Sequence, residues 1–331
     1  MNMNHSILET IGQTPLVRLN RVVGDVAATV AVKLEYFNPG GSLKDRAVLS
    51  MVEAAEQAGK LRPGGTIIEA TSGNTGYAVA MVAAAKGYRA VIVCSDKVAA
   101  EKIDTLRAFG AEIVRVPGDA TREDPEHYFN TAHRLAEAEE NSLYISQSYN
   151  PDNPAGHFRT TGPEIWQQTG GKVTSFITSA GTGGTISGTG RYLKEQNPAV
   201  EIVLADPVGS VYAGFLETGE VAPSQPYLVE AAGQDELYIP PNFAADTVDR
   251  ALRVTDEEAF VMARRLAREE GIFCGMSSGL IVHAAVQLAR EKSAGDLIVA
   301  IVCDSGDKYL SRLYSDRWLR ERLPGLVGAD R

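Results

Sequence analysis

Runs of consecutive apolar residues, each about the length of a β-strand, recur along the chain and alternate with segments of helical periodicity. The runs span residues 29–34, 66–69, 90–94, 112–116, 175–178, 201–205 and 297–303. They are mainly apolar along their length rather than at every second position, which is typical of parallel strands buried on both faces. The alternation of strands and helices therefore predicts an α/β protein with largely parallel sheets.

Helix boundaries can be read between several of these runs. Residues 255–258 (Thr-Asp-Glu-Glu) match a capping box, and that helix is expected to end at Gly271. Asp124 and Pro125 are expected to open another helix, with the proline in its first turn. Because parallel sheets form their active sites at the carboxyl ends of strands, the turns after the strands are the segments to search for chemistry.

Composition and charge exclude several classes of protein. The length of 331 residues suggests two domains, and a formal net charge of −10 does not suit a general nucleic-acid binder. No apolar run reaches the roughly 18 residues of a membrane span, and the first residues lack the pattern of a secretory signal. The three cysteines cannot form a disulfide framework, and no Cys/His cluster has zinc spacing. We therefore expect a protein of the reducing cytoplasm without a metal site.

The turn after the first apolar run contains a lysine with unusual surroundings. Residues 38–46 read Asn-Pro-Gly-Gly-Ser-Leu-Lys-Asp-Arg, and Ser42 is a candidate N-cap that places Lys44 in the first turn of a helix. A helix N-terminus disfavours a cation, and partial burial lowers a lysine pKa. Both effects favour the neutral amine that Schiff-base chemistry needs. The alternative is a solvated surface lysine.

Two further turns offer groups that bind anions. Residues 69–76 (Glu-Ala-Thr-Ser-Gly-Asn-Thr-Gly) and 180–185 (Ala-Gly-Thr-Gly-Gly-Thr) each lie between a strand and a helix. Hydroxyls and glycine N–H groups at a helix N-terminus suit a carboxylate or a phosphate. The second turn lacks the lysine of a nucleotide-hydrolase loop, and Ile186 replaces the third glycine of a dinucleotide loop. Asp206, at the end of the next strand, leaves a nicotinamide enzyme open at this point, as well as a plain tight turn.

A fourth segment, residues 271–279, reads Gly-Ile-Phe-Cys-Gly-Met-Ser-Ser-Gly. Ser277 in it is a candidate hydrogen-bonding group at a buried site, and residues 304–306 (Asp-Ser-Gly) follow the last apolar run and are placed to line the same pocket. A capping serine and a loop aspartate would explain both equally well.

In this order, the four segments resemble the β-family of pyridoxal-phosphate (PLP) enzymes, the fold type II group similar to tryptophan synthase β. The chain resembles cysteine synthases and, more closely, the catalytic core of cystathionine β-synthases, from residues 11–16 (Ile-Gly-Gln-Thr-Pro-Leu) to Trp318. This resemblance implies two domains, each with a mostly parallel twisted sheet flanked by helices. Residues 45–150 would form the smaller, substrate-closing domain, and residues 1–44 with 151–331 the larger, PLP-binding one. It also implies a homodimer.

The resemblance also assigns roles to individual residues. Lys44 would carry the cofactor pyridoxal 5'-phosphate and act as the general base. Asn74 would hydrogen-bond the ring hydroxyl of the cofactor, and Ser277 would meet its ring nitrogen. The cofactor phosphate would be held by Gly181, Thr182, Gly183, Gly184 and Thr185. The substrate carboxylate would be held by Thr71, Ser72, Asn74 and Thr75, with Gln147.

The reaction implied is β-replacement on L-serine or an activated serine through an aminoacrylate intermediate, with homocysteine as the main hypothesis for the acceptor. Alternatives are O-acetylserine with sulfide, and O-phosphoserine with an amine. An eliminating dehydratase or racemase and a non-catalytic binding protein on the same fold also stay open. The haem-binding extension and the regulatory module of some cystathionine β-synthases find no counterpart here, so we expect neither haem nor a nucleotide response.

The chain departs from the family pattern at several positions. Ala70 stands where the family usually has proline, and Tyr77 where it has a small or aliphatic residue. Residues 229–239 resemble a segment that closes over substrate, but glycine-like features are altered and Gln234 replaces a tyrosine. These differences leave the second substrate open.

Overall fold

The computed structural model describes residues 3–71, 73–234 and 238–326, apart from the side chain of Glu101. Its strands form two sheets, with β5-β4-β3-β6 in the smaller one and β1-β2-β10-β7-β8-β9 in the larger one. All neighbouring strands are parallel except β1 and β2. The strands are β1 Leu16–Arg18, β2 Thr29–Leu34, β3 Thr66–Ala70, β4 Arg89–Ser95, β5 Glu112–Val116, β6 Ser142–Tyr144, β7 Ser175–Thr178, β8 Glu201–Pro207, β9 Arg250–Val254 and β10 Leu297–Val302.

The helices connect the strands and cover the faces of the sheets. They are α1 Lys44–Gln57, α2 Asn74–Lys86, α3 Ala100–Ala108, α4 Tyr128–Ala138, α5 Asp152–Arg159, α6 Thr161–Gln168, α7 Gly184–Gln196, α8 Tyr212–Thr218, α9 Asp256–Arg265, α10 Met276–Ala289 and α11 Asp316–Arg322. Strand β10 lies inside the larger sheet, and its residues 298–302 are fully buried between helices. None of the helices described has the length and apolar character to cross a membrane.

The predicted α/β class and its parallel sheets are confirmed, and each of the seven apolar runs forms a strand. The sequence pattern missed β1, β6 and β9, which have three to five residues and are only partly buried. An edge or half-exposed strand does not need the continuous apolar run that marks a buried one. The strands of the smaller sheet all fall within residues 66–144, and the domain boundaries themselves stay a prediction.

One predicted helix end is confirmed and one is wrong. Thr255 Oγ1 accepts from the N–H of Glu258 (3.3 Å) and the Glu258 carboxylate accepts from the N–H of Thr255 (2.9 Å), which closes the capping box of α9. A π-helical turn, Leu266–Glu270, follows α9 and ends at Gly271 with φ +69°. Residues 124–125 do not open α4, because the Asp124 carboxylate accepts from the N–H of Glu126 (2.8 Å) and closes a local turn instead.

Candidate active site

A cavity of about 880 Å³ opens where the carboxyl ends of strands from both sheets meet. A smaller space of about 30 Å³ shares Lys44, Asn74 and the residues 181–182 with it. The turns after β2, β3, β7 and β10 all contribute to these walls, as expected for parallel sheets. The structure therefore brings three of the four segments singled out in the sequence to one place, whereas no residue of the fourth segment, 271–279, lines either space.

Lys44 is the first residue of α1, and its partly buried side chain lines both spaces. Burial lowers the pKa of its amine, while the nearby Cys303 and Asp304 oppose that shift. Helix α1 is bounded by Leu43 at the N-cap position rather than Ser42, although Leu43 already has helical dihedral angles (φ −61°, ψ −18°). Ser42 nevertheless accepts from the Lys44 N–H through its hydroxyl, at 3.3 Å. The amine stands at a helix N-terminus, where a cation is disfavoured.

The glycine-threonine turn, residues 180–185, joins β7 to the N-terminus of α7. Gly183 has φ +83°, and a Cβ there would lie 2.5 Å from Cα of Phe243. A Cβ on Gly184 would collide with the side chain of Asn153. Only glycine fits at these two positions, which leaves backbone N–H groups at the start of α7 open to an anion.

Neighbouring side chains fix the shape of this turn. Asn153 Nδ2 donates to Thr182 Oγ1 at 3.0 Å, and the Tyr212 hydroxyl donates to the carbonyl of Gly181 at 2.5 Å. His157 Nε2 lies 3.2 Å from Thr185 Oγ1. Burial lowers the pKa of His157 to about 3, so its imidazole is neutral and adds no charge beneath the turn.

The second anion-binding turn, residues 71–75, runs from β3 into the start of α2. Thr75 Oγ1 donates to Gln147 Oε1 at 2.7 Å, which joins this turn to the segment after β6. Thr71, Asn74, Thr75 and Gln147 all line the cavity. Ser72, predicted for the same role, lies outside the described residues.

Ser277 lies in the first turn of α10 and is fully buried. Its Oγ has no hydrogen-bond partner among the described residues beyond the weakly polar thiol of Cys303 nearby. A buried hydroxyl without a full partner is costly to the fold, which is expected where a ligand atom completes the bond.

Three charged side chains at the larger cavity were not predicted from the sequence. Lys102 Nζ lies 3.3 Å from Glu230 Oε2, and Arg312 forms an ion pair with the other oxygen of Glu230. Lys102 and Glu230 line the cavity. No local motif marks these residues, because they come from α3, the segment before α9 and the segment before α11.

Lys308 is a second lysine of the cavity wall that sequence reasoning missed. Residues 304–306, predicted to line the pocket, are not among the lining residues, but Asp304 hydrogen-bonds Asn74, which is one of them. Lys308 Nζ donates to Asn74 Oδ1 at 2.7 Å, and Asn74 Nδ2 donates to Asp304 Oδ2 at 2.6 Å. The sequence analysis singled out the turn at residues 304–306, but nothing in it pointed to Lys308, which follows that turn by two residues.

The segment that departs from the family pattern also meets the cavity. Ala231 has φ +62°, a left-handed conformation that favours glycine, and the N–H of Gly233 donates to the carbonyl of Ala180 at 2.7 Å. Residues 231–233 of the segment are therefore docked on the glycine-threonine turn, with local strain at Ala231, and residues 235–237 lie outside the described residues.

Comparison with known families matches residues 7–304 to the profile described as pyridoxal-phosphate dependent enzyme. The chain belongs to this family. It is 46% identical over 318 residues to cystathionine beta-synthase of Oryctolagus cuniculus, an alignment that covers 96% of this chain and 57% of that protein. It is 47% identical to cysteine synthase B of Pseudomonas aeruginosa, over 92% of this chain and 96% of that protein. A crystal structure of O-ureido-L-serine synthase superposes with a TM-score of 0.86 at 37% identity, over 97% of this chain and 96% of that chain.

The predicted family and the PLP cofactor are thus confirmed, and the nicotinamide reading is wrong. Asp206, which kept that reading open, is fully buried, and its carboxylate accepts from the N–H of Ala213 at 2.9 Å. The chain spans little more than half the length of the cystathionine β-synthases that it matches.

Two features of the cavity wall fit the groups of PLP. An amine with a lowered pKa suits its aldehyde, and two glycines that exclude a Cβ leave room for its phosphate. Ser277 lines neither space, but its buried hydroxyl lies beside Cys303 of the smaller space and would suit the ring nitrogen.

Proposed function

We propose that this PLP-dependent enzyme catalyses β-replacement on L-serine or an activated serine, with homocysteine as the acceptor. The observation that carries the proposal is the position of Lys44: a partly buried amine with a lowered pKa, in one cavity with both anion-binding turns. When bound, PLP supplies an electron-accepting ring that weakens bonds at the α- and β-carbons of an amino acid.

The residues of the chain have distinct tasks in this proposal. Lys44 would hold the cofactor through Nζ, take the α-proton of the amino acid, and return it after the β-substituent has been exchanged. Residues 181–185 would hold the cofactor phosphate. Asn74 and Ser277 would hold the ring oxygen and the ring nitrogen. The uncharged Ser277 hydroxyl would leave that nitrogen largely unprotonated.

The substrate carboxylate would lie at the N-terminus of α2. Thr71, Asn74 and Thr75 stand there, and Gln147 is tied to Thr75 by the 2.7 Å hydrogen bond. Ser72 is proposed for the same task from the sequence alone. A helix N-terminus supplies N–H donors and a favourable dipole for a carboxylate.

The charged group formed by Lys102, Glu230 and Arg312 supports an amino-acid acceptor. Homocysteine carries a carboxylate and an ammonium, which match a lysine and a glutamate at the cavity. Hydrogen sulfide carries neither group and would gain nothing from them. The identity to cysteine synthase B over nearly its whole length favours O-acetylserine with sulfide as the second candidate.

The test is a matrix of donors and acceptors with product identification by mass spectrometry. Serine, O-acetylserine and O-phosphoserine are each combined with homocysteine, sulfide and an amine. We expect cystathionine from serine and homocysteine, and no product from Lys44→Ala with any pair. Glu230→Gln should raise the KM for homocysteine more than the KM for sulfide, whereas Glu217→Gln, an exposed ion-pair partner of Arg253, should change neither. Cysteine from O-acetylserine without any cystathionine would overturn the acceptor assignment.

We further propose a cytoplasmic homodimer, with residues 45–150 closing over the substrate to exclude water. Light scattering should give twice the chain mass of 35.4 kDa. A mass of one chain would contradict it.

A further inference from the structure

Lys308 lines the larger cavity, and its ammonium is held there by several contacts. It lies in a short 3-10 turn, Gly306–Tyr309, after β10. Its Nζ donates to Asn74 Oδ1 at 2.7 Å and, at 3.3 Å each, to the carbonyls of Gly40 and Gly41. It also lies 5.0 Å from the centre of the Tyr77 ring. With its three donors engaged, this amine is held in place rather than free to react.

The Asn74 amide is thereby held between a cation and an anion. Its oxygen accepts from Lys308, and its nitrogen donates to Asp304 Oδ2 at 2.6 Å. Turning the amide over would place its NH₂ group against an ammonium and its oxygen against a carboxylate, and both contacts would be repulsive. Only one orientation of the amide is therefore compatible with its neighbours.

In that orientation one of the two amide hydrogens is used by Asp304 and the second is left over. Asn74 lines both the larger and the smaller space, so this second donor is available at their junction. The Tyr309 hydroxyl donates to the same Asp304 oxygen at 2.8 Å and holds the carboxylate in place. The group suited to the spare donor is an oxygen acceptor, neutral or anionic.

We propose that Lys308 is a positioning residue that, with Asp304, locks the Asn74 amide so that its spare N–H faces the ring oxygen of the bound cofactor. The proposal rests on the proposed function, because it assumes that Asn74 meets that oxygen. Lys308 acts through Asn74 and makes no direct contact with the cofactor.

The lock requires a charged Lys308 and an ionised Asp304. Lys308 is faced by Asp304 after β10, Asp45 of α1 and Asp307 of its own turn, and by the like charge of Lys102 of α3. Burial raises the pKa of Asp304, and Lys308 is the largest influence that lowers it. Removing the Lys308 ammonium therefore weakens both contacts of the Asn74 amide. The hydrogen bond to its oxygen is lost, and an Asp304 that becomes protonated no longer selects one orientation of the amide.

A double-mutant cycle on cofactor affinity tests the proposal. Apo-protein is titrated with PLP for the wild type, Lys308→Met, Asn74→Ala and the double variant, and the pH dependence of the bound-cofactor absorbance is recorded. Lys308→Met should weaken binding about tenfold, the effect of losing one hydrogen bond to a charged partner, and should shift the absorbance profile. In the Asn74→Ala background the same change should have an effect of less than about twofold. Lys308→Arg should restore most of the affinity, and the exposed Lys60→Met is the matched control.

An equal loss of affinity from Lys308→Met with and without Asn74 would overturn the proposal, because Lys308 would then act independently of the amide. Circular dichroism and thermal unfolding of each variant separate this result from misfolding. The proposal and the proposed function fail in different ways. If Lys308 and Asn74 are coupled but no donor gives a product, only the proposed reaction is refuted. If cystathionine forms but the two residues are not coupled, only the positioning role of Lys308 is refuted.

Discussion

At the scale of single residues, the cavity region buries ionisable groups whose charged forms are disfavoured. Glu69, at the end of β3, is fully buried, and burial raises its pKa to about 8, although hydrogen bonds from Ser146 and Gln147 oppose this. Its carboxylate accepts from the N–H of Ser146 at 2.8 Å, next to Gln147 of the proposed carboxylate site. Glu69 therefore stays protonated in the folded chain near neutral pH and supports the segment that carries Gln147.

This gives a prediction about pH. Between the ordinary glutamate pKa of 4.5 and the folded value of about 8, the native chain keeps a proton on Glu69 that the unfolded chain has lost. The stability that this carboxyl group contributes is therefore complete below pH 4.5 and is lost as the pH rises through about 8. Glu69→Gln should flatten the decline in unfolding free energy between pH 5 and pH 8 by up to about 1.4 kcal/mol per pH unit.

Urea unfolding of the apo-protein at several pH values measures this decline. The exposed Glu140→Gln is the matched control and should keep the wild-type profile. If Glu69→Gln and the wild type lose stability in parallel over this range, the protonated state of Glu69 is refuted.

At the scale of elements, the start of α7 shows how a helix is built to receive an anion. Gly183 is its N-cap in the left-handed region and has no side chain to cap the helix, and the N–H of Gly184 donates to Thr182 Oγ1 only at 3.4 Å. A serine or threonine cap, as in α9, would satisfy the first N–H groups from within the chain. The glycines instead leave those donors to a ligand, so the helix start is a binding feature that the isolated fold does not complete.

We therefore predict that Gly183→Ala is damaging in the apo-protein as well as in the holoenzyme. The new Cβ would lie 2.5 Å from Cα of Phe243 at φ +83°, and strain of this kind costs about 1–3 kcal/mol. For stability alone, Gly181→Ala is the matched control, since the nearest outside atom to its Cβ would be 3.8 Å away, in ordinary contact. Urea unfolding gives the loss of stability, and PLP titration should show a weaker Kd for Gly183→Ala. Equal stability of the two variants would mean that the turn relaxes freely.

At the scale of the whole molecule, a buried charge network ties distant segments together. Arg46 of α1 binds Glu35, after β2, at 2.6 Å and Glu164 of α6 at 2.6 Å, and Lys33 of β2 binds the same Glu164 at 2.7 Å. Thr14 donates to Glu35 at 2.7 Å and adds the N-terminal segment. Because Arg46 lies two residues after Lys44, the network fixes the start of α1, which presents the proposed catalytic amine.

Arg46→Met should destabilise the chain by about 3–5 kcal/mol, because it leaves carboxylates buried without their main partner. The pKa of Glu164 is lowered to about 2, chiefly by Arg46 against the effect of burial. The stability that ionised Glu164 contributes is therefore present above pH 4.5 and is lost as the pH falls toward 2. The unfolding free energy of the variant should accordingly fall less steeply with acidification than that of the wild type.

Urea unfolding at neutral and acidic pH measures both effects. Arg253→Met, which breaks the half-exposed pair with Glu217, should change stability little. A similar small change in both variants would show that the buried network contributes no more than a surface pair.

The sequence by itself determined the class of the fold and pointed to three of the turns that line the two spaces. A continuous apolar run such as 297–303 clearly marks a strand buried on both faces, although single buried polar residues such as Lys33 and Glu69 occur in other strands. The turns that hold Lys44 and Gly183 have their distinctive residues adjacent in sequence, so a local motif was enough to single them out. The opening of α4 was misread because a side-chain turn at Asp124 competes with the helix.

Only the tertiary structure decided which distant residues complete the site. Strand β10 pairs with β2, so the turn after β10 lies beside the turn that leads to Lys44, and the N–H of Leu43 donates to the carbonyl of Cys303 at 3.0 Å. This adjacency brings Lys308 to Asn74 across 234 residues of sequence. Strand order is set by packing over the whole chain, and hydrophobic periodicity reports only on neighbours within a few residues, so no local pattern could reveal that contact.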